Sequence, residues 1–303
     1  MNVPDLLPQT LMALGAIFGC GAILVLILGR FNLKRIMEGE LGARYLGWLI
    51  LTPVYIVVLF TNIYIGLLMV AIAMLLCIIE YSRATKLPTN QQAFLYIFVV
   101  ITLLVVIFRP PLFAALPALV MFLLTAQPIL SNRPESLLRA PKIVSWGYMY
   151  TTWTLAHGIL MLGFPNDTGI LIIVIVGCAL ADIGAYVVGK AIGKTVIAPK
   201  INPRKAWEGI IGDLIGATIA VAVFSFAVPE YPLPLLIGLV FIIGIGSSWG
   251  DILSSTAKRN ADIKDWGAII PGHGGVIDRL NSLIIVLPLT YYYLVLFAPM
   301  PSV

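Results

Sequence analysis

Stretches of roughly 20 consecutive apolar residues, each long enough to cross a hydrocarbon core of about 30 Å, recur from one end of this chain to the other. Of its 303 residues, 60% are hydrophobic and 11% are charged, against roughly a quarter charged in a soluble domain. No aqueous fold could bury so much apolar side chain. Lipid offers nothing to backbone N–H and C=O groups, and these runs lack the alternation of a barrel strand, so α-helices are the spanning element. The expected fold class is all-α, a polytopic integral membrane protein with about nine or ten transmembrane helices.

The expected spans are Thr10 to Gly29, Tyr45 to Phe60, Ile63 to Ile79, Ala93 to Phe108, Pro111 to Leu130, Ile143 to Phe164, Gly169 to Gly189, Ala206 to Val228, Leu233 to Leu253 and Ser282 to Phe297. The second and fourth are short, and the count falls to nine if the break at Thr61-Asn62 is not a turn. The first run starts without a basic leader or an obvious cleavage site, so it reads as a retained helix. No internal repeat is visible. Residues 1–142 form an N-terminal transmembrane region, and residues 143–303 a C-terminal transmembrane region that carries the candidate chemistry.

Charge tests the set of spans. The chain has 19 Lys and Arg, and alternate loops hold all but Arg109: Arg30, Lys34, Arg35 and Arg44; Arg83 and Lys86; Arg133, Arg139 and Lys142; Lys190, Lys194, Lys200, Arg204 and Lys205; Lys258, Arg259, Lys264 and Arg279. By the positive-inside rule these loops are cytoplasmic and both termini lie outside. This places a multi-pass protein in the cell membrane with its long polar loops, Lys190 to Lys205 and Ser254 to Arg279, facing the cytoplasm. The net charge of +5 is thereby explained by orientation, and no nucleic-acid partner is expected. Cys20, Cys77 and Cys178 lie within apolar runs at spacings that make no metal or redox motif.

Three strings carry polar residues that an apolar span does not need. Asp182 lies near the cytoplasmic end of the seventh span, with Tyr186 and Gly189 following on one face; a carboxylate there requires a partner, an ion or water. The second string is Pro199-Lys200-Ile201-Asn202-Pro203-Arg204-Lys205-Ala206-Trp207-Glu208-Gly209. It predicts a helix capped by Asn202 with Pro203 first, which would put Arg204 and Lys205 at the positive end of the dipole and call for an anion there, phosphate above all. The alternative is a basic anchor against lipid headgroups. The third string runs from Gly250 to Asp265, then Pro271 to Asn281. If helical, it sets Asp251, Ser254 or Ser255, and Lys258 on one face, and Asp278 with Asn281 on another. Gly274 and Gly275 beside His273 permit close backbone approach to phosphate. Such a set suits Mg²⁺, which takes one or two carboxylates and completes its shell with water and phosphate. An ordinary solvated loop is the alternative for Asp265, His273 and Arg279 singly.

These strings resemble those of the phosphatidate cytidylyltransferases, the CDP-diacylglycerol synthases. The C-terminal pattern of that family appears here as Ser255, Lys258-Arg259, Lys264-Asp265 and His273-Gly274-Gly275-x-x-Asp278-Arg279-x-Asn281. The upstream pattern appears at Asp182 to Gly189 and, with changes, at Pro199 to Gly209. The family's glutamate before the serine is Ser254 here, its capping serine Asn202, its threonine after the lysine Ala206 and its last aspartate Asn281. The resemblance implies transfer of the CMP unit of CTP to phosphatidic acid or a similar lipid phosphate, with Mg²⁺ as cofactor, membrane lipids around it and a homodimeric assembly. It assigns Asp251, Lys258, Asp278 and Arg279 to catalysis, and Asp251, Asp278 and a weak Asn281 to the metal. Asp182 either joins the ion or orients a basic residue. Asn202, Arg204, Lys205, Glu208, Ser255, Arg259, Lys264, Asp265, His273, Gly274 and Gly275 are assigned to substrate. Two other readings stay open. A transporter would use Asp182 and Glu208 along a pathway and predicts inverted repeats and charge at mid-membrane. A catalytically silent homologue is motivated by Ser254 and Asn281.

Overall fold

The computed structural model describes residues 3–28, 40–130, 132, 140–164, 166–267 and 274–298. Its helices are α1 (Val3–Leu28), α2 (Glu40–Phe60), α3 (Ile63–Ala84), α4 (Thr89–Phe108), α5 (Leu116–Leu130), α6 (Ala140–Gly147), α7 (Thr154–Leu160), α8 (Asp167–Ile192), α9 (Trp207–Phe224), α10 (Leu233–Asn260) and α11 (Val276–Phe297). A 3₁₀ turn, Pro110–Ala115, leads into α5, and a π-helical turn, Tyr148–Trp153, joins α6 to α7. Among the described residues, eight helical spans are long and apolar enough to cross a membrane, and a shorter apolar helix covers Tyr45–Phe60. The α6–π–α7 rod covers the sixth segment expected from the sequence. Thr61-Asn62 is a true break between two helices: the Asn62 side chain accepts a hydrogen bond from the Tyr64 N–H at 2.9 Å and starts α3.

The described structure is nearly all helix, with one departure. Val196–Ala198 (β1) and Asn202–Ala206 (β2) form an antiparallel hairpin, Val196 opposite Ala206 and Ala198 opposite Asn202. The expected helix start at Asn202 is thus overturned. Pairing at Asn202 and Ala206 holds this stretch extended, the Asn202 side chain accepts the Arg204 N–H at 3.2 Å, and α9 begins at Trp207, whose N–H donates to the Thr195 carbonyl at 2.9 Å.

Burial rises toward the C-terminal half: 56% of the α8 span is enclosed, against 17% for α1. Helices α8 and α9 meet backbone to backbone, because a Cβ at Gly212 would run into the Gly184 carbonyl and one at Gly216 into the Leu180 carbonyl. Small residues four apart permit this approach in lipid, where dispersion and close packing replace the hydrophobic drive between helices. Gly250 does the same for α10 and α11, lying against the Asn281 carbonyl. The four helices therefore converge at one end, and the side chains next to these glycines, Asp182, Asp213, Asp251 and Asn281, face a common region.

Candidate active site

The centre of that region is Lys205. It leaves the end of β2 only 8% exposed, with its Nζ 3.5 Å from Asp213 Oδ2 and 3.7 Å from Asp251 Oδ2. Burial pulls the ammonium's pKa down, but the charges of Asp213, Asp251 and Asp182 pull it up by more, leaving it above the ordinary lysine value of 10.5. Asp213 is wholly buried on α9 and its Oδ2 accepts from the Ser248 hydroxyl of α10. Asp251 Oδ1 accepts from Asn281 Nδ2 at 3.0 Å, while Asn281 Oδ1 takes the Ser282 N–H at 2.8 Å. The Ser282 hydroxyl in turn donates to Asp182 at 3.4 Å. Asn202 Nδ2 reaches Ser255 Oγ at 3.3 Å and ties the hairpin to α10.

A second group lies along the same helix ends. Lys258 Nζ is 2.7 Å from Asp278 Oδ1, a closed ion pair. Asp278 Oδ2 accepts the Trp266 N–H at 2.9 Å and the Gly275 N–H at 3.0 Å, so one carboxylate ties Trp266 to the start of α11. Gly274 occupies φ +79°, the left-handed region that glycine adopts without strain. The Trp266 indole N–H donates to Ser254 Oγ at 3.0 Å, which gives the serine found in place of the family's glutamate a packing role.

Sequence reasoning missed Asp213 and Glu80. Glu80, in the last turn of α3, is 1% exposed, and its oxygens accept the N–H groups of Val276 at 2.8 Å and Ile277 at 3.0 Å. The first turn of α11 thus receives its anion from the N-terminal region. A Cβ at Gly267 or Gly275 would collide with the same carboxylate. Both acids carry the same legible signal as Asp182, a carboxylate inside an apolar run. Glu208 itself accepts the Thr195 N–H with both oxygens at 3.3 Å and braces the hairpin against α9.

The remaining expected site residues are more dispersed. Arg204, Arg259, Lys264 and Asp265 are exposed, and Arg279 is half-buried in the first turn of α11. Arg259 Nη1 donates to the Ile263 carbonyl at 3.1 Å. Asp278 and Asn281, expected to point together, engage different partners. His273 lies outside the described residues. Among the described residues, no three His, Cys, Asp or Glu side chains form a ready-made metal cage.

Comparison with known proteins decides the class. The cytidylyltransferase family model matches residues 42–297. The chain belongs to the cytidylyltransferase family. It is accordingly a nucleotidyltransferase, and the match begins far upstream of Asp182, taking in the spans from α2 onward. The uncharacterized protein YnbB of Escherichia coli (strain K12) is 31% identical over 284 residues, 90% of this chain and 94% of its own length. The phosphatidate cytidylyltransferase of Bacillus subtilis (strain 168) is 39% identical over 119 residues, 39% of this chain and 44% of that protein. The enzyme of the same name from Synechocystis is 39% identical over 140 residues, 45% and 46% of the two chains. Against these two enzymes the match spans less than half of either relative's length.

Proposed function

We propose that this cytidylyltransferase acts on CTP and a membrane lipid phosphate such as phosphatidic acid, making a CDP-lipid and pyrophosphate for phospholipid synthesis, with its site on the cytoplasmic side. The observation that carries the reading is Lys205, a buried ammonium held at 3.5 and 3.7 Å from two carboxylates where four membrane helices and a polar hairpin meet. A second feature supports a lipid substrate. An apolar cavity of about 630 Å³, bounded by Leu14, Trp48, Tyr55, Val187 and Gly216 among others, runs along α8 and α9, the helices that carry Asp182 and Asp213. Such a cavity suits an acyl chain.

A phosphate oxygen of the lipid attacks the α-phosphorus of CTP, and the bond to the β-phosphate oxygen breaks as the new P–O bond forms. Pyrophosphate leaves with the electron pair of that bond. The nucleophile is already anionic, so the protein's work is alignment and charge neutralisation, and no strong base is required. His157 has a packing role: it is fully buried and ringed by Phe113, Trp153, Tyr291 and Tyr292. Lys205 and Lys258 are the cations placed for phosphate, and Arg204, Arg259, Lys264 and Arg279 give the approach a positive field. Asp278 holds Lys258 and the Gly274-Gly275 turn in place.

The side chains fit a divalent ion such as Mg²⁺. Asp251 is 35% exposed and meets its lysine only at 3.7 Å, which leaves it open to a hard cation, whereas Asp278 must release Lys258 to take part. Asp251 would hold the ion, with Asn281 and Asp182 beside it, and the bound ion supplies positive charge to the triphosphate and the leaving pyrophosphate.

The test is pyrophosphate release by purified protein in mixed micelles. Release should require both CTP and phosphatidic acid, and should vanish in Asp251→Asn. Release that ignores the lipid, or none from folded protein with any lipid phosphate, would overturn the reading.

A further inference from the structure

Asp213 lies outside all three sequence strings that carry the family resemblance, yet it is the most enclosed charge in the site, with 0% exposure. Only one of its oxygens is engaged. Oδ2 meets Ser248 and Lys205, whereas Oδ1 is buried with no hydrogen-bond partner. A buried carboxylate oxygen left unpaired is destabilising and calls for a partner. The cation beside it is shared and held loosely. Lys205 stands 3.5 Å from Asp213 and 3.7 Å from Asp251, while the neighbouring pair Lys258–Asp278 closes to 2.7 Å, inside the usual range of about 2.7–2.9 Å for a charge-assisted bond. One ammonium thus faces two carboxylates and the charge of Asp182 as well. Asn281, which stands where the family has an acid, adds no negative charge and donates its amide N–H to Asp251 instead.

We propose that Asp213 is a ligand of the divalent cation together with Asp251, and that Lys205 is a resident cation which the metal displaces. Two carboxylates match the number a Mg²⁺ site usually takes from protein, and Asp213 supplies the second charge that Asn281 cannot. The displaced ammonium, freed from Asp213 and Asp251, becomes available to phosphate; that part rests on the cytidylyl-transfer reading, whereas the metal ligation does not. Lys205 is then both a placeholder that keeps the buried Asp213 and the partly exposed Asp251 compatible with folding before the metal arrives, and a phosphate ligand afterwards. The positions of Ser248 and Asn281 follow: each donates a hydrogen bond to one of the two carboxylates and orients it toward the lysine.

The experiment reads Mn²⁺ binding by electron paramagnetic resonance on the purified full-length protein in detergent, without nucleotide or lipid, with Mg²⁺ as competitor and thermal melting as a check of folding. Wild type should bind one Mn²⁺ that Mg²⁺ displaces. Asp213→Asn, which keeps an acceptor for Ser248, should weaken binding at least tenfold. Lys205→Met should do the opposite: it should bind Mn²⁺ several-fold more tightly than wild type, and its melting temperature should rise more steeply with added Mn²⁺, although its turnover is lost. A lysine of merely structural importance would not produce tighter metal binding when removed. The proposal fails if folded wild type binds no Mn²⁺, if Asp213→Asn binds it like wild type, or if Lys205→Met binds it more weakly. Any of these in a protein that still makes a CDP-lipid sinks the metal assignment alone. The expected Mn²⁺ pattern in a protein with no CTP turnover sinks the cytidylyl reading and leaves the metal site standing.

Discussion

Replacing Glu80 by alanine should loosen the entrance of the site from a position that no motif marks. Glu80 is buried and accepts two backbone N–H bonds, at 2.8 and 3.0 Å, from the first turn of α11. Hydrogen bonds to a charged group contribute about 1.5–3 kcal/mol each, and an anion at a helix N-terminus adds about 0.3–1 kcal/mol. Water entering the vacated space recovers part of this, so the net loss should be about 3–5 kcal/mol. At about 1.4 kcal/mol per tenfold, the local opening equilibrium of the turn shifts by roughly 10²- to 4 × 10³-fold. Hydrogen exchange of the Val276 and Ile277 amides, followed by mass spectrometry in detergent, reads that shift directly. Glu80→Gln keeps one acceptor and turns an NH₂ toward the other N–H, so its effect should be smaller, about 1–3 kcal/mol. Exchange within twofold of wild type in folded Glu80→Ala would show that Glu80 does not hold the turn.

Three further outcomes follow from the same geometry. Asn281→Asp should lower the Mg²⁺ concentration needed for half-maximal activity by about 5- to 150-fold, since one charge at a partly buried site contributes about 1–3 kcal/mol; an unchanged half-saturation point removes position 281 from the ion. Lys205 has a pKa raised above 10.5 in the folded protein, so its stabilising contribution is complete below the unfolded value and is lost only as pH rises through the higher folded one; the Lys205 ammonium should therefore keep its proton throughout pH 6 to 9, and a titration of a ¹⁵N-labelled Lys205 Nζ within that window, read by its chemical shift, would contradict it. Cysteines placed at Lys200 and Asn260, in a background lacking native thiols, should react only with reagents admitted to the cytoplasm, and labelling of either in sealed cells from outside would reverse the topology.

The membrane fold was legible because long apolar runs and the placement of basic residues are local properties that one sequence displays directly. Asn62 ended one helix and began the next with the chemistry of any N-cap. Asn202 misled for a physical reason: asparagine followed by proline starts helices in general, but here pairing of Ala198 with Asn202 and Val196 with Ala206 claimed the backbone first. Helical spacing places Asp251, Ser254 or Ser255, and Lys258 on one face, and the segment is helical as that spacing requires, whereas the partners of these side chains were not legible. Lys205 meets Asp213 and Asp251, and Glu80 meets Val276 across 196 positions of sequence; contacts of that range depend on which glycines let helices approach. Asp213 and Glu80 were visible as acids in apolar runs, but the runs do not say which way a side chain turns.

The central claim is transfer of the cytidylyl group, and the fate of two labels tests it most directly. CTP labelled at the α-phosphate should pass its label into a chloroform-extractable lipid when phosphatidic acid and Mg²⁺ are supplied, while label at the γ-phosphate should appear only in pyrophosphate. Transfer of the γ-label to lipid, or retention of the α-label in water-soluble nucleotide by a folded protein, would contradict the account.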